Sequence, residues 1–166
     1  MAMAWLLLLL QVFINISYIA SYKISTINRN YADAIKYCND TYDSSLATIY
    51  TPEQNKIARN LCLNHINNST DNLYVACWIG LHQIESNSYS PWLWQQNGIE
   101  SVYTYWAKGA PSYNNNNHTN CTEISVAPFR AQSSFPQTQF MGDWNNVDCI
   151  GTEFHATLCN DPPHGL

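Results

Sequence analysis

The chain has 166 residues, 11% of them charged, and its formal net charge is −5 at pH 7. A chain of this length favours a single domain, and the scarcity of Lys and Arg excludes a basic stripe of the kind that binds nucleic acid. The sequence contains six cysteines. An even number in an oxidising compartment indicates three disulfides, although it leaves their connectivity open.

Residues 1–20 have the features of a secretory signal peptide. Apolar residues dominate from Trp5 to Phe13 and polar residues follow them, as in a signal-peptide core. This apolar stretch is shorter than a membrane span of about 20 residues. No Lys or Arg precedes it, and an uncleaved anchor is the alternative interpretation. We therefore expect a signal peptide over residues 1–20, one domain over residues 21–166, and no membrane span after cleavage.

The first part of the mature chain predicts a strand and then a helix. The alternation of Tyr22–Ser25 predicts a short strand. Asn30 is a favourable N-cap residue and predicts a helix from Tyr31 to Tyr42. The apolar segment Leu46–Ile49 follows and is expected to be either a buried connector or a strand.

A second helix has a strong start signal. Thr51 is placed as its N-cap, Pro52 as its first residue, and Gln54 completes a Thr-x-x-Gln capping box. Apolar residues then recur at helical spacing. The helix is expected to end near Asn67 and Asn68, where polar residues accumulate.

A central strand followed by a hairpin is predicted in the middle of the chain. Tyr74–Leu81 contains the run Trp-Ile-Gly-Leu, which is long enough for a buried strand and too short for a helix. Trp92–Trp94 alternates, and Asn97-Gly98 is a strong hairpin signal because both residues tolerate positive φ. Val102–Trp106 is predicted to return as the partner strand.

A long polar stretch follows, from Ala107 to Asn120. It includes a run of four asparagines, and loops of this length are usually functional or disordered. Cys121–Ala127 alternates between apolar and polar residues, which predicts a strand with Glu123 and Ser125 on one face. A last strand is predicted near Phe154–Cys159.

These landmarks, in this order, resemble those of C-type lectin-like domains. The resemblance rests on an aromatic-x-x-Ala helix, a Leu-Ala-x-Ile segment, the Trp-Ile-Gly-Leu strand, and a closing region with Trp-Asn-Asn between cysteines. It covers about Tyr22 to Cys159, essentially the whole mature chain. The matching residues are Tyr31–Ala34, Leu46–Ile49, Thr51–Gln54, Trp78–Leu81, Trp94, Gly98, Tyr103, Trp106, Gly109, Pro111, Cys121, Trp144–Asn146, Cys149 and Phe154–Cys159.

The resemblance implies an α+β fold with two helices, small antiparallel sheets and a long loop region that carries ligands. The N-terminal cysteine hairpin of longer members is missing. Members pair the first cysteine with the last and pair two others across the loop region, which leaves one further pair. That pair also fits the residues, since Cys62 lies late in the second helix and Cys77 beside the strand on which that helix packs. The implied pairs are Cys38–Cys159, Cys121–Cys149 and Cys62–Cys77.

Sugar-binding members of this family hold Ca²⁺ in the long loop, and that site is degenerate here. The family's ligand positions correspond to Ala110, Ser112, Thr119, Asn145 and Asn146, of which only Asn145 is a retained ligand. Ca²⁺ takes about six to eight oxygens, many from carboxylates, and residues 106–122 contain no Asp or Glu. We therefore expect no calcium and no other cofactor, and Ser112, Asn145 and Asn146 become candidate ligand-binding residues.

The resemblance implies a secreted recognition domain for a carbohydrate or glycoprotein ligand. The alternatives are a protein-recognition module without sugar binding and a calcium-dependent lectin with a divergent site. Catalysis is not expected, because disulfides explain the cysteines and no motif marks His118 or His155 as a base. Trp92, Trp94 and Tyr105 are expected in the core, with a sugar-stacking platform as the alternative.

Five Asn-x-Ser/Thr sequons in the mature chain predict N-glycosylation outside the cell. Two of them lie in the loop region, where attached glycans would cover a surface that a sugar needs. The last has Cys121 at its middle position, which disfavours its use. The acceptors are Asn39, Asn67, Asn68, Asn117 and Asn120.

Overall fold

The computed structural model describes residues 21–67, 75–85, 87–113, 119–126, 141–150 and 155–161. The expected signal peptide over residues 1–20 lies outside them, as do Asn68, Asn117 and His118. The elements are β1 (Tyr22–Arg29), α1 (Tyr31–Tyr42), α2 (Pro52–Asn67), β2 (Val75–His82), β3 (Leu93–Trp94), β4 (Cys121–Val126), β5 (Met141–Val147) and β6 (His155–Asn160).

The strands of the described residues form one mixed sheet in the order β1-β6-β2-β4-β5, and β3 pairs with β2. The β2–β6 pair is parallel and the other pairs are antiparallel. The first and last strands are neighbours, with Tyr22 opposite Asn160. The predicted α+β fold is confirmed, with a single sheet in place of several small ones. Within the described part of the chain, no helix is long and apolar enough to cross a membrane.

Helix α1 has the predicted bounds and the predicted cap. Asn30 Oδ1 accepts a hydrogen bond from Asp33 N at 2.8 Å, which satisfies one of the free N–H groups of the first turn. Asp43 ends the helix with φ at 49°, and its N–H donates to Asn39 O. Ala34 and Cys38 are fully buried, so this stripe of the helix packs against the sheet.

Helix α2 begins at Pro52 as predicted, with a variation on the capping box. Gln54 N donates to Thr51 Oγ1 at 3.2 Å, as the box requires. The Gln54 side chain, however, accepts from Tyr50 N at 2.6 Å and so holds the residue before the cap. The helix ends at Asn67, where the polar residues begin.

The central strand β2 divides the core into two parts. Cys77, Ile79 and Leu81 join the cluster that includes Ala58 of α2, and this side of the sheet is called the α2 face. Trp78 instead joins the cluster that includes residues of α1, and its side is called the α1 face. Gly80 allows a close approach here, since a Cβ at residue 80 would lie 3.1 Å from Leu46 O.

Three disulfides join the elements, and no cysteine among the described residues is free. The longest link connects α1 to β6 across a sequence separation of 121 residues. Another attaches α2 to β2, and the third closes the segment between β4 and the end of β5. The pairs are Cys38–Cys159, Cys62–Cys77 and Cys121–Cys149, which match the pairing that the resemblance implied.

The predicted return strand over Val102–Trp106 is wrong. The turn at Gly98 forms with φ at 65°, and Leu93 makes a single bridge to Glu100. Beyond that bridge the chain leaves β3, and Trp106 forms a parallel bridge with Trp144 of β5. The long-range pairing with β5 replaces the local hairpin, and β5 is a strand that the sequence did not predict.

Candidate functional site

The loop region is attached to β5 by backbone hydrogen bonds. Trp144 N donates to Tyr105 O at 2.8 Å, and Ala107 N donates to Trp144 O at 2.9 Å. A tight turn follows in which Ala110 N donates to Ala107 O, and the Ala110–Pro111 peptide bond is cis. The residues at the family's calcium positions are therefore placed directly beside the second half of β5.

The side chain of Asn146 connects β5 to both ends of the loop, an arrangement that we call the Asn146 amide bridge. Its Oδ1 accepts from Ser112 N at 2.8 Å, and its Nδ2 donates to Ser112 O at 2.8 Å. The same Nδ2 donates to Thr119 O at 3.2 Å. Asn146 is only 8% exposed, and backbone groups hold both its Oδ1 and its Nδ2.

Asn145 does not join Ser112 and Asn146. Successive side chains of a strand point to opposite faces, and Asn145 accordingly lies on the other side of β5. Its Nδ2 donates to Ser125 Oγ of β4 at 2.7 Å. Of the three candidate ligand-binding residues, the structure therefore brings together Ser112 and Asn146 and separates Asn145 from them.

The two carboxylates near Trp144 differ in their surroundings. Asp148 Oδ1 accepts from Ile150 N at 2.8 Å and stabilises the turn after β5. Burial raises the pKa of Asp143 above its usual value, with Arg59 acting in the opposite direction. Asp148 is thus engaged in a local turn.

The five family positions do not fit calcium. They supply no carboxylate, the Asn146 amide is bonded to backbone, and the Asn145 amide is bonded to Ser125. Ca²⁺ needs several convergent oxygens, with charge from carboxylates. Among the described residues, no group of three or more His, Cys, Asp or Glu is placed to hold a metal ion.

The tryptophans of the central region belong to the core. Trp94 is fully buried and Trp92 is 9% exposed, which confirms their expected place. Tyr105 differs, because it is 40% exposed with the Arg59 guanidinium 5.8 Å from its ring centre. Trp92 Nε1 donates to Tyr113 OH at 3.3 Å, so the core tryptophan helps to position the loop.

A chain of polar contacts crosses the α1 face. Asn145 donates to Ser125 Oγ, which donates to Glu123 Oε1 at 2.6 Å. Glu123 Oε2 lies 2.8 Å from His155 Nε2, and the rings of His155 and Trp78 are 4.3 Å apart. Glu123 and Ser125 share a face as predicted, and both are buried.

The sequence contained a signal that the side chains of Asn145 and Asn146 lie on opposite faces of β5. Once residues 141–147 are taken as a strand, period-two alternation allows only one of the two to face the loop. The Glu123–His155 pair had no such signal, because its members are far apart in sequence and meet only through the β4–β2–β6 arrangement.

Comparison with known proteins agrees with this fold. The family model of the lectin C-type domain matches residues 27–160. E-selectin of Equus caballus is 29% identical over 129 residues, which are 78% of this chain. Those residues are 18% of E-selectin, so the chain spans less than a fifth of that relative.

Three solved structures illustrate the similarity in architecture. Human lithostathine is 23% identical with a TM-score of 0.62, covering 88% of this chain and 94% of its own. The carbohydrate-recognition domain of mouse scavenger receptor C-type lectin is 21% identical with a TM-score of 0.63, and the match covers 90% of this chain and 94% of that domain. The C-type lectin CEL-I of Cucumaria echinata is 18% identical with a TM-score of 0.62, and the match covers 88% of this chain and 92% of CEL-I.

Proposed function

Because the chain belongs to the C-type lectin domain family, we propose that it is a secreted recognition domain whose loop region binds a carbohydrate or glycoprotein without calcium. The observation that carries this proposal is the Asn146 amide bridge. In family members that bind sugar through calcium, the ion joins the loop to this strand. Here the amide of Asn146 makes that connection through Ser112 and Thr119, so the loop is held in place by the protein itself.

The described groups that surround the Asn146 amide bridge itself are neutral. Around the Asn146 amide bridge they are backbone groups, the hydroxyl of Ser112 and the phenol of Tyr113. Neutral donors and acceptors suit the hydroxyl groups of an uncharged sugar and offer no counter-charge to a sulfate or carboxylate. We therefore propose a neutral glycan as the first class of ligand.

Recognition is favoured over catalysis by the order of groups on the α1 face. The carboxylate of Glu123 stands between the Ser125 hydroxyl and the His155 imidazole. A serine nucleophile needs its hydroxyl beside the base itself, and Ser125 is fully buried. We assign this cluster a structural role.

The extracellular location that we propose is supported by the disulfides. Three disulfides in a domain of this size are typical of secreted proteins and rare in reducing compartments. The low content of charged residues and the sequon of the exposed Asn39 agree with such a location.

A protein ligand is the second candidate, and exposed apolar side chains favour it. Ile84 is 74% exposed and Tyr89 is 96% exposed. Their segment is tied to the loop region, since Asn120 Nδ2 donates to Ile84 O. Aromatic and aliphatic residues exposed beside a binding loop are suited to a protein partner.

A glycan array, probed with the disulfide-bonded domain in calcium and in chelator, tests this function. We expect the same neutral glycans to be bound under both conditions. Asn146→Ala should weaken binding about tenfold or more, because the loop loses its connection to β5, whereas Lys108→Ala in the same loop should not. Binding that disappears in chelator would contradict the proposal. Binding to a protein array but to no glycan would favour the second candidate.

A further inference from the structure

A polar groove lies where the end of α1 meets the end of β6, away from the loop region. Its volume is about 300 Å³, at the lower end of the range of about 300–1,000 Å³ for small-ligand sites. All its lining side chains are polar. They are Asn39, Asp43, Ser44, Ser45, Gln96, Asn160 and Asp161.

The floor of this groove is fixed by hydrogen bonds around Asn160. Its Nδ2 donates to Ser45 Oγ at 2.9 Å and to Leu46 O at 3.1 Å, and its backbone oxygen accepts from Ser44 Oγ at 2.6 Å. Lys23 Nζ lies 3.3 Å from Asp161 Oδ2 at the edge. The groove therefore keeps its shape without a ligand.

One residue of the groove wall, Asn39, begins an N-glycosylation sequon. Asn39 begins the sequon Asn39-Asp40-Thr41 in the last turn of α1, and both Asn39 and Thr41 are exposed. Asn120 offers a contrast among the described sequons. Its next residue, Cys121, forms a disulfide, and Thr122 is fully buried.

We propose that Asn39 carries an N-linked glycan and that the first N-acetylglucosamine of this glycan lies in the groove. The inference rests on the secretory location proposed above. A lipid diphosphate-linked oligosaccharide is the donor. Asn39 Nδ2 loses one proton and forms a bond to C1 of the sugar, while the bond from C1 to the lipid diphosphate breaks and the diphosphate leaves.

The chemistry of the groove suits a sugar that is attached at its wall. Asp43 is exposed, and its carboxylate accepts hydrogen bonds from sugar hydroxyls. Gln96 uses its Oε1 to accept from Thr48 Oγ1 at 3.0 Å, which leaves its N–H groups for the acetamido oxygen. Two carboxylates, Asp43 and Asp161, disfavour an anionic ligand. Attachment to Asn39 confines the sugar to the groove and raises its effective concentration there.

The test is expression in a glycosylating eukaryotic host, followed by peptide mapping and thermal unfolding. We expect Asn39 to be occupied and Asn120 to be empty. Wild-type protein trimmed to a single N-acetylglucosamine should unfold about 2–4 °C above the sugar-free variant Thr41→Ala. Asp43→Gly suits the positive φ of residue 43 and should remove most of this difference. Added to the sugar-free variant Thr41→Ala, the same substitution should change the melting temperature little.

The outcomes separate this proposal from the proposed function. Glycans at Asn67, Asn68 or Asn117 with an empty Asn39 would overturn it and leave secretion standing. An occupied Asn39 whose single sugar changes neither the melting temperature nor the resonances of Gln96 would overturn the placement in the groove. No glycan on any sequon would contradict the secretory location itself.

Discussion

Both faces of the central sheet pack apolar clusters, but the α1 face also buries a polar pair. On the α2 face, Trp94 and Trp144 are fully buried and meet edge to face with ring centroids 6.0 Å apart. On the α1 face, Glu123 is 1% exposed and reaches His155 at 2.8 Å. The first contact is stabilised by its apolar area, and the second is stable only while both partners are present.

The difference shows how much each face tolerates change. An apolar cluster loses free energy in proportion to the volume removed, and its neighbours relax into part of the space. A buried polar pair loses little when both members are replaced by apolar groups, yet much when one is left alone. Substitutions on each face and at the edge of the core distinguish these two kinds of contact.

Trp144→Ala tests the α2 face and should have the largest effect. It should lower the free energy of unfolding by about 3–5 kcal/mol because of the cavity. It also leaves buried Asn55 Oδ1, which accepts from Trp144 Nε1 at 2.9 Å, without its donor. Urea unfolding measures the loss. Val102→Ala, at a residue 94% exposed, is the control and should change stability by less than about 0.5 kcal/mol. A loss below 1 kcal/mol would show that Trp144 is not a core residue.

Glu123→Leu tests the α1 face. Removing one partner of a buried pair should cost about 3 kcal/mol. The double variant Glu123→Leu/His155→Leu should be more stable than the sum of the two single losses predicts, by about 1–3 kcal/mol. Chemical denaturation of the four proteins gives this coupling energy. Strictly additive losses of stability would show that Glu123 and His155 are not energetically coupled, which would contradict the proposed difference between the two faces.

Asn146→Ala extends the comparison to the loop, where a polar contact lies at the edge of the core. Loss of the amide leaves Ser112 N, Ser112 O and Thr119 O without their partner, which should cost about 1–2 kcal/mol. Hydrogen exchange at the Ser112 amide should accelerate by a factor of about ten. Lys108→Ala is the matched control. Unchanged exchange in Asn146→Ala would show that the bridge does not hold the loop.

Calcium should have no effect on stability. An ion that binds only the folded state adds about 2.7 kcal/mol at a hundredfold excess over its Kd, which in a domain of this size raises the melting temperature by about 5–10 °C. We expect no such rise between millimolar calcium and chelator at matched ionic strength. A calcium-dependent rise that Asn145→Ala abolishes would restore the calcium-dependent lectin as the first interpretation.

Local signals in the sequence were sufficient for the helices and the central strand. Asn30 and Thr51 are caps whose partners lie three residues away, so the hydrogen bonds that start α1 and α2 are visible in the sequence. The apolar run around Trp78 predicted β2 for the same reason. Such features depend on neighbours in the chain and are therefore accessible without a structure.

Long-range pairing explains what could not be predicted. The sequence allows Trp106 to pair with a nearby strand or with Trp144. The pairing with Trp144 becomes evident only in the assembled sheet. Alternation placed Glu123 opposite the apolar side chains, a pattern that usually means solvent, yet this sheet is covered on both faces. The sequence named Ser112, Asn145 and Asn146 as candidate ligand-binding residues, but the hydrogen bonds between Ser112 and Asn146 depend on the path of the loop.

The adjacency of the first and last strands also determines how the domain responds to tension. Asp161 N donates to Ser21 O at 2.8 Å, so a pull on the two ends opens the β1–β6 ladder from its edge. Opening stops at the Cys38–Cys159 disulfide, after residues 21–37 and 160–161 have extended by about 60 Å. Reduction of that bond opens the segment between the two cysteines, whose sequence separation is 121. The other two disulfides bypass separations of 15 and 28 residues within it, so about 270 Å of chain is released while they stay intact. The Cys38–Cys159 bond thus limits the first stage of extension and couples it to the redox potential of the surroundings.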